Sequence, residues 1–418
     1  MFRRPFVFLL GTLLGPLALA GCGVQSGPYG RGYQPMGNAA SVSSVAPAGT
    51  RVAILLPLSG PRAELGQPML QAAQIALPPG SMPPLDAKDT GGSPEGAAAA
   101  AQSAIAQGAG LILGPLTSGE TAAVAPVAQQ AGVGVLAFTN ASAQAQPGVW
   151  TLGLTPLQQV RRLVAAAQSQ GRSHMAALLP QTDFGRAMAD ALSQATSQAG
   201  LPPPQIQMYA PGMAAINAAT RAVSGYANRR GPVDARIKAA RALNTAEGRR
   251  EAAEIAKTPI PPPPFDTLLL AATGEELQQV AAMLPYYDID RSVVQIIGPA
   301  LWALPASGSA VVEGAWFAAP DPASRASLEE AFTARYNTPP PPLADLAFDA
   351  ASIARVLAGR SGYSMAALTQ PSGFAGADGW LALLPDGQVR RGLAVFRVER
   401  GGAGMIEPAP VSGALPGS

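Results

Sequence analysis

Short apolar runs recur along this chain at regular intervals, and the stretches between them carry apolar residues at a helical period. Arg51-Val52-Ala53-Ile54-Leu55-Leu56-Pro57-Leu58 reads as a buried strand, turned by Ser59-Gly60-Pro61 into a helix over Ala63–Ala76. Residues 83–89 suggest a short second strand ending in an acidic turn, and the alanine-rich residues 97–107 a helix. Leu111-Ile112-Leu113 is apolar on both faces, as in a parallel sheet. Gly114-Pro115 stops that strand, because the residue before a proline is pushed away from helical angles. Thr117 or Ser118 then caps a helix running to about Ala131, with Glu120 near its positive end. Residues 133–138 are strand-like again and end at Thr139-Asn140.

A second series begins after residues 149–154. It comprises a helix over 157–170, a strand over 174–179, a loop at 181–185 and a helix through about Gln198. Residues 205–209, 265–272 and 293–297 read as strands and 274–284 as a helix. Two consecutive series of alternating strands and helices predict an α/β fold: two Rossmann-like lobes with parallel sheets and a cleft between them. Ligands in such sheets sit at the carboxyl ends of the strands, where the loop at 114–119 sets out hydroxyls and backbone N–H groups. An ordinary strand-to-helix turn that binds nothing has the same appearance. Residues 213–257 interrupt the second series with nine Arg or Lys against four Asp or Glu. They read as a helical insertion, either a solvated face or a basic docking surface that includes Arg229, Arg230, Arg236 and Arg241.

The length of 418 residues suits two lobes of roughly 150 residues each. A net charge of +2 gives no footing for nucleic acid. Residues 1–22 lie apart from the fold: Arg3 and Arg4 start an apolar stretch that closes on Leu19-Ala20-Gly21-Cys22, a signal-peptide pattern. Its end resembles the lipobox of bacterial lipoproteins, which implies lipid on Cys22 and a mature chain tethered to a membrane in the cell envelope. Gly23 in place of Asp after that cysteine fits outer-membrane delivery. Residues 23–49 are rich in Gly, Ser, Pro and Ala and read as a flexible linker, and no later apolar run approaches the roughly 20 residues of a membrane helix.

Enzyme signatures are poor. The single histidine, His174, opens an apolar strand, and no Gly-x-Ser-x-Gly elbow, phosphate-binding loop or dinucleotide fingerprint appears. One histidine and one cysteine leave no zinc site of the usual kind, and no cofactor is expected. The carboxylate pairs Glu275-Glu276 and Glu329-Glu330 are adjacent, so they do not face each other on a helix.

Leu56-Pro57-Leu58-Ser59-Gly60, the 112–119 loop, Thr182-Asp183-Phe184-Gly185-Arg186, Phe348-Asp349-Ala350-Ala351, residues 373–380 and Pro385-Asp386-Gly387-Gln388-Val389 together resemble type I periplasmic binding proteins of the leucine-binding kind. The resemblance spans roughly residues 50–400 and implies three crossings of the chain between lobes, near Leu154, Ala319 and Ala366. Lobe one would be 50–154 plus 320–365, and lobe two 155–319 plus 366–400, with a tail at 401–418. By the same resemblance a small polar ligand would meet Ser59, Leu116, Thr117, Ser118, Thr139 and Asn140 from lobe one, and Phe184 and Glu275 from lobe two. Phe184 stands where many amino-acid binders carry Tyr. Leu284-Pro285-Tyr286-Tyr287-Asp288, residues 298–302 and 313–320, Phe332 and Arg335-Tyr336 are similar to lipoproteins that activate penicillin-binding proteins. That similarity implies a partner, a bifunctional peptidoglycan synthase, in place of or beside a solute. The helical-repeat domain that precedes the fold in some of those lipoproteins has no counterpart in residues 23–50.

Overall fold

A computed structural model describes residues 49–304, 307–360 and 362–410. Cys22, the expected signal peptide and all but residue 49 of the expected linker lie outside the described residues. The first sheet holds five parallel strands in the order β2-β1-β3-β4-β5: β1 (Arg51–Leu56), β2 (Leu85–Asp89), β3 (Ala109–Leu113), β4 (Gly134–Ala137) and β5 (Val149–Thr151). Alternation along β1 sends Val52, Ile54 and Leu56 to one face and Ala53 and Leu55 to the other. The first face packs on α1 (Ala63–Ala76) and α11 (Ala344–Ala358) through Met69, Ala73, Ala347 and Ala350. The second packs on α2 (Pro94–Ala106) and α3 (Ser118–Gln130) through Ala97, Ala101, Val124 and Ala128. Alanines on the helices let them lie close to the sheet.

After β5 the chain enters α4 (Pro156–Ser169) and builds a seven-stranded sheet. Five of its strands are parallel, in the order β10-β9-β8-β6-β7: β6 (Met175–Pro180), β7 (Gln205–Tyr209), β8 (Thr267–Leu270), β9 (Gln295–Gly298) and β10 (Trp316–Ala319). Ala177 and Leu179 face α4 and α5 (Asp183–Gln198), while Ala176 and Leu178 face α6 (Met213–Val223) and α9 (Gly274–Tyr286). Residues 183–185, expected in a loop, form the first turn of α5, because the Thr182 hydroxyl accepts from the Gly185 N–H at 3.0 Å and caps it.

Three boundaries differ from the sequence expectation. The insertion proper is shorter than 213–257: α6 is the helix joining β7 to β8, with Ile216, Ala219 and Val223 in the lobe-two core. The added part is a hairpin of α7 (Tyr226–Ala242) and α8 (Ala246–Ala256) with a small core of its own, Val233, Ile237, Ala240, Ala252 and Ile255. The third crossing does not fall near Ala366. After α10 (Pro322–Tyr336) and α11, the helix α12 (Met365–Leu368) and a three-stranded antiparallel sheet continue the first lobe. That sheet comprises β11 (Phe374–Gly376), β12 (Gly379–Leu383) and β13 (Val389–Arg391). Leu368, Phe374, Leu381, Leu383 and Val389 share one buried cluster with β1 and β3, so apolar alternation in a glycine-rich meander anchors it to lobe one. The chain recrosses only at Gly392-Leu393 to reach β14 (Ala394–Glu399), which pairs antiparallel to β10. Part of the expected tail is likewise a strand, β15 (Gly402–Glu407), because the turn at Arg400-Gly401 folds it back on β14. Among the described residues no helix is long and apolar enough to cross a membrane.

Candidate functional site

The first-lobe candidates meet at one sheet edge because β1, β3 and β4 are neighbours and their carboxyl ends lead into the loops that carry them. Gly114 makes the sharp exit from β3 possible: its φ is +86°, and a Cβ there would stand 2.4 Å from the Leu55 carbonyl oxygen. Phe138 N–H donates to the Pro115 carbonyl at 2.9 Å and ties the β3 and β4 loops together.

Thr117 caps α3 in a reciprocal box with Glu120. The Glu120 N–H donates to the Thr117 hydroxyl at 3.3 Å, and the Glu120 carboxylate accepts from the Thr117 N–H at 3.0 Å and hydroxyl at 2.7 Å. The same carboxylate, wholly buried, accepts from the Thr90 hydroxyl at 2.6 Å. Both polar groups that Thr117 could offer a ligand are therefore committed to a carboxylate of the protein. Thr117, expected as a ligand contact, is placed here as the capping residue of α3, its side chain and amide held by Glu120.

Ser59 is in a similar position. The Asp89 carboxylate accepts from the N–H groups of Leu58 at 2.9 Å, Ser59 at 3.2 Å and Gly91 at 2.8 Å. The Ser59 hydroxyl beside it, helped by those amides, holds the Asp89 carboxyl below the usual carboxylate range. Asp89 went unassigned in the sequence reading, although the acidic turn closing the second strand was its visible signal. Thr139 is buried and its hydroxyl accepts from the Ala141 N–H at 3.1 Å. Ser118 and Asn140 are exposed and Leu116 is half-buried.

On the second lobe, Phe184 and Glu275 start the helices that follow β6 and β8, which are neighbours, so both stand at the carboxyl edge of that sheet. Phe184 is half-buried and packs against the lobe-two core. Glu275 is exposed, and Gln279 one turn on donates to it at 3.4 Å. The neighbouring Glu276 lies beside the buried Tyr209 phenol, whose ionisation is suppressed first by burial and then by that carboxylate. Among the described residues no group of three His, Cys, Asp or Glu could hold a metal ion.

The four arginines of the insertion part company. Arg229 donates to the carbonyls of Pro261 at 2.7 Å, Tyr287 at 3.1 Å, Ser224 at 3.2 Å and Asp288 at 3.4 Å. It staples the hairpin to the proline run and to the end of α9. Arg230 pairs with Asp234 at 2.9 Å along α7. Arg236 and Arg241 are exposed and make no ion pair among the described residues. A concavity of about 620 Å³ opens under this hairpin, lined by Arg229, Ile260, Pro262, Pro263, Pro285 and neighbours, and another of about 480 Å³ lies between residues 313–314 and 397–400. Neither includes a residue of the expected cleft.

The family model described as periplasmic binding protein matches residues 49–403. No curated protein sequence matches the chain. Among solved structures, a Rhodospirillum rubrum protein assigned to branched-chain amino acid ABC transport is 19% identical with a TM-score of 0.63, over 85% of this chain and 100% of that one. Full-length LpoA from Haemophilus influenzae is 18% identical with a TM-score of 0.60, and this chain spans 86% of its own length but 59% of LpoA's. The LpoA C-domain from the same organism, described as a regulator of PBP1A, is 18% identical with a TM-score of 0.58, over 85% of this chain and 100% of that domain. Identities this low show a shared fold.

Proposed function

The chain belongs to the periplasmic binding protein family, and from that premise we propose that it is a lipid-anchored regulator in the cell envelope, which binds a bifunctional peptidoglycan synthase and stimulates it. The observation that carries this reading is the state of the first-lobe edge. The Thr117 hydroxyl and amide and the Ser59 amide, groups that resemblance assigns to a small ligand's carboxylate, already serve the carboxylates of Glu120 and Asp89. An incoming carboxylate would compete with a built-in one for the same donors and meet its negative charge, a loss of roughly 1–3 kcal/mol for each group left unpaired. Phe184 offers no hydroxyl from the opposite lobe. The α7–α8 hairpin adds a surface to the second lobe on which a partner could dock, and the LpoA C-domain shares the fold.

The alternative is a solute-binding lipoprotein of an ABC importer for amino acids or similar small polar ligands. Ser118, Asn140 and the Thr139 hydroxyl, still able to donate, favour it. One experiment separates the two. The chain is mixed with a purified bifunctional penicillin-binding protein from its own source, and glycan polymerisation and peptide cross-linking are followed. Faster synthesis at stoichiometric amounts supports the regulator. No binding and no stimulation, together with a thermal shift induced by amino acids, overturns it in favour of the solute receptor.

A further inference from the structure

Between the α7–α8 hairpin and β8 runs Pro259-Ile260-Pro261-Pro262-Pro263-Pro264, in which each residue from Ile260 to Pro263 precedes a proline. A proline ring fixes φ at about −65°, and a following proline pushes ψ to extended values. The segment is thereby restricted to the polyproline II helix, which has about three residues per turn and no internal hydrogen bonds. Among the described residues, 259–264 make no backbone–backbone hydrogen bond.

Burial follows the same period of three. Ile260 packs half-buried on the small core of the hairpin, and Pro263, one turn on, is buried. Pro259 and Pro262 stand exposed on a second face, Pro261 and Pro264 on a third. One face anchors the rod, and two present proline rings to solvent. Arg229 Nε donates to the Pro261 carbonyl at 2.7 Å and ties the rod to α7. A rod already straight and anchored loses little freedom when a partner closes on it.

The chemistry of that partner follows from what the rod lacks. Prolines carry no N–H, and among the described residues only the Pro261 carbonyl of the run has a donor. The concavity of about 620 Å³ beside Pro262 adds the carboxylates of Asp288 and Asp290. Its two guanidiniums are engaged by carbonyls of the protein, Arg229 by Pro261 and Tyr287, and Arg291 by Val311 at 3.1 Å. Its far wall is apolar, formed by Pro285, Ile289 and Val293, and Val293 and Tyr286 are exposed there. Flat rings with open acceptors are complemented by flat apolar side chains that carry one N–H or O–H donor, which are tryptophan and tyrosine.

We propose, on the premise that the chain regulates a peptidoglycan synthase, that residues 259–264 dock into a groove on the synthase lined by tryptophan and tyrosine. The proline rod is the apolar anchor of the contact, and the exposed Arg236 and Arg241 of the adjoining hairpin stand beside it.

The test measures binding of the full chain to the purified bifunctional penicillin-binding protein from its own source. Pro261→Ala with Pro264→Ala, and Pro259→Ala with Pro262→Ala, are each expected to weaken binding about tenfold while the urea midpoint stays as in the parent. Pro202→Ala with Pro203→Ala, exposed prolines ahead of β7, is expected to keep the parent affinity. Hydroxyl-radical footprinting of the synthase is expected to show tryptophan or tyrosine side chains shielded by the parent and reopened with the two run variants. A parent that does not bind fails the regulator reading itself, and the docking falls with it. A parent that binds, with both run variants at parent affinity, overturns the docking alone and leaves the regulator. The docking is equally overturned by shielding that includes no aromatic side chain. A loss of affinity matched by a fall in urea midpoint also overturns it, and reduces the run to a spacer for the hairpin.

Discussion

Glu120 offers the sharpest test of how the first-lobe edge is built. Its carboxylate is fully buried and accepts three hydrogen bonds, two from Thr117 and one from the Thr90 hydroxyl, which is itself buried. Glu120→Ala removes the reciprocal cap of α3, worth about 1 kcal/mol. It also leaves the Thr90 hydroxyl unpaired in the interior, about 1–3 kcal/mol more. The sum is about 3 kcal/mol of lost stability. Glu120→Gln keeps the volume and the oxygen that serves Thr117, but its amide nitrogen leaves the Thr90 hydroxyl proton without an acceptor, so about 1–2 kcal/mol is expected. Urea unfolding followed by tryptophan fluorescence reads both, since Trp150 is buried in β5 of the same sheet. A loss below about 0.5 kcal/mol in Glu120→Ala would refute the reasoning. It would mean that Thr90 and Thr117 have other partners, and that the Thr117 hydroxyl is free for a ligand after all.

Four further outcomes follow from the same geometry. Gly114→Ala forces a Cβ onto the Leu55 carbonyl at positive φ and should cost more than about 1 kcal/mol in the same urea assay, a neutral result showing that the β3 exit can relax. Phe332→Ala empties a fully buried site between α10 and α1 and should cost about 3–5 kcal/mol. Arg229→Met should speed proteolytic cutting within residues 257–264, whereas Arg236→Glu with Arg241→Glu should leave cutting unchanged and weaken synthase binding in a salt-dependent way; unaltered affinity in that double variant removes the hairpin from the partner surface. Burial, outweighing the Arg325 guanidinium, pushes the Asp345 carboxyl up to about 6. A raised carboxyl favours the fold most where it is protonated in both states, so its contribution is complete below about pH 4 and is lost as pH rises through about 6. Asp345→Asn should flatten the fall in urea midpoint between pH 4 and pH 7, and an unchanged slope would assign the fall elsewhere.

Most of the fold was legible because it rests on local signals. Three large apolar residues before Gly114-Pro115, and Thr117 three residues ahead of Glu120, specify a strand, a stop and a capped helix without reference to anything distant. The boundaries that failed lack such signals. Residues 373–392 contain five glycines and only short alternations, so nothing local says which lobe they belong to; that is decided by Leu381 and Leu383 filling the space against β1, β3 and α11. The hairpin was visible as charge, but its limits were not, since α6 and α7 both carry alanines throughout and burial is what separates a sheet-packing helix from an added one.

The site was half legible for a physical reason that bears on function. Sequence pattern finds hydroxyls at strand ends, yet a hydroxyl's meaning depends on who holds its hydrogen bonds, and those partners come from elsewhere in the chain. Asp89 reaches Leu58 and Ser59 across about thirty residues, and Thr90 and Glu120 find each other across a similar gap, because β2, β1 and β3 lie side by side. The same neighbourhood that would assemble a ligand pocket has assembled its own anions there. On the proposed reading, an edge whose Thr117 and Ser59 groups face internal carboxylates keeps the two-lobed scaffold while offering fewer free donors to a small acid, and the scaffold serves by the surfaces it presents to a protein partner.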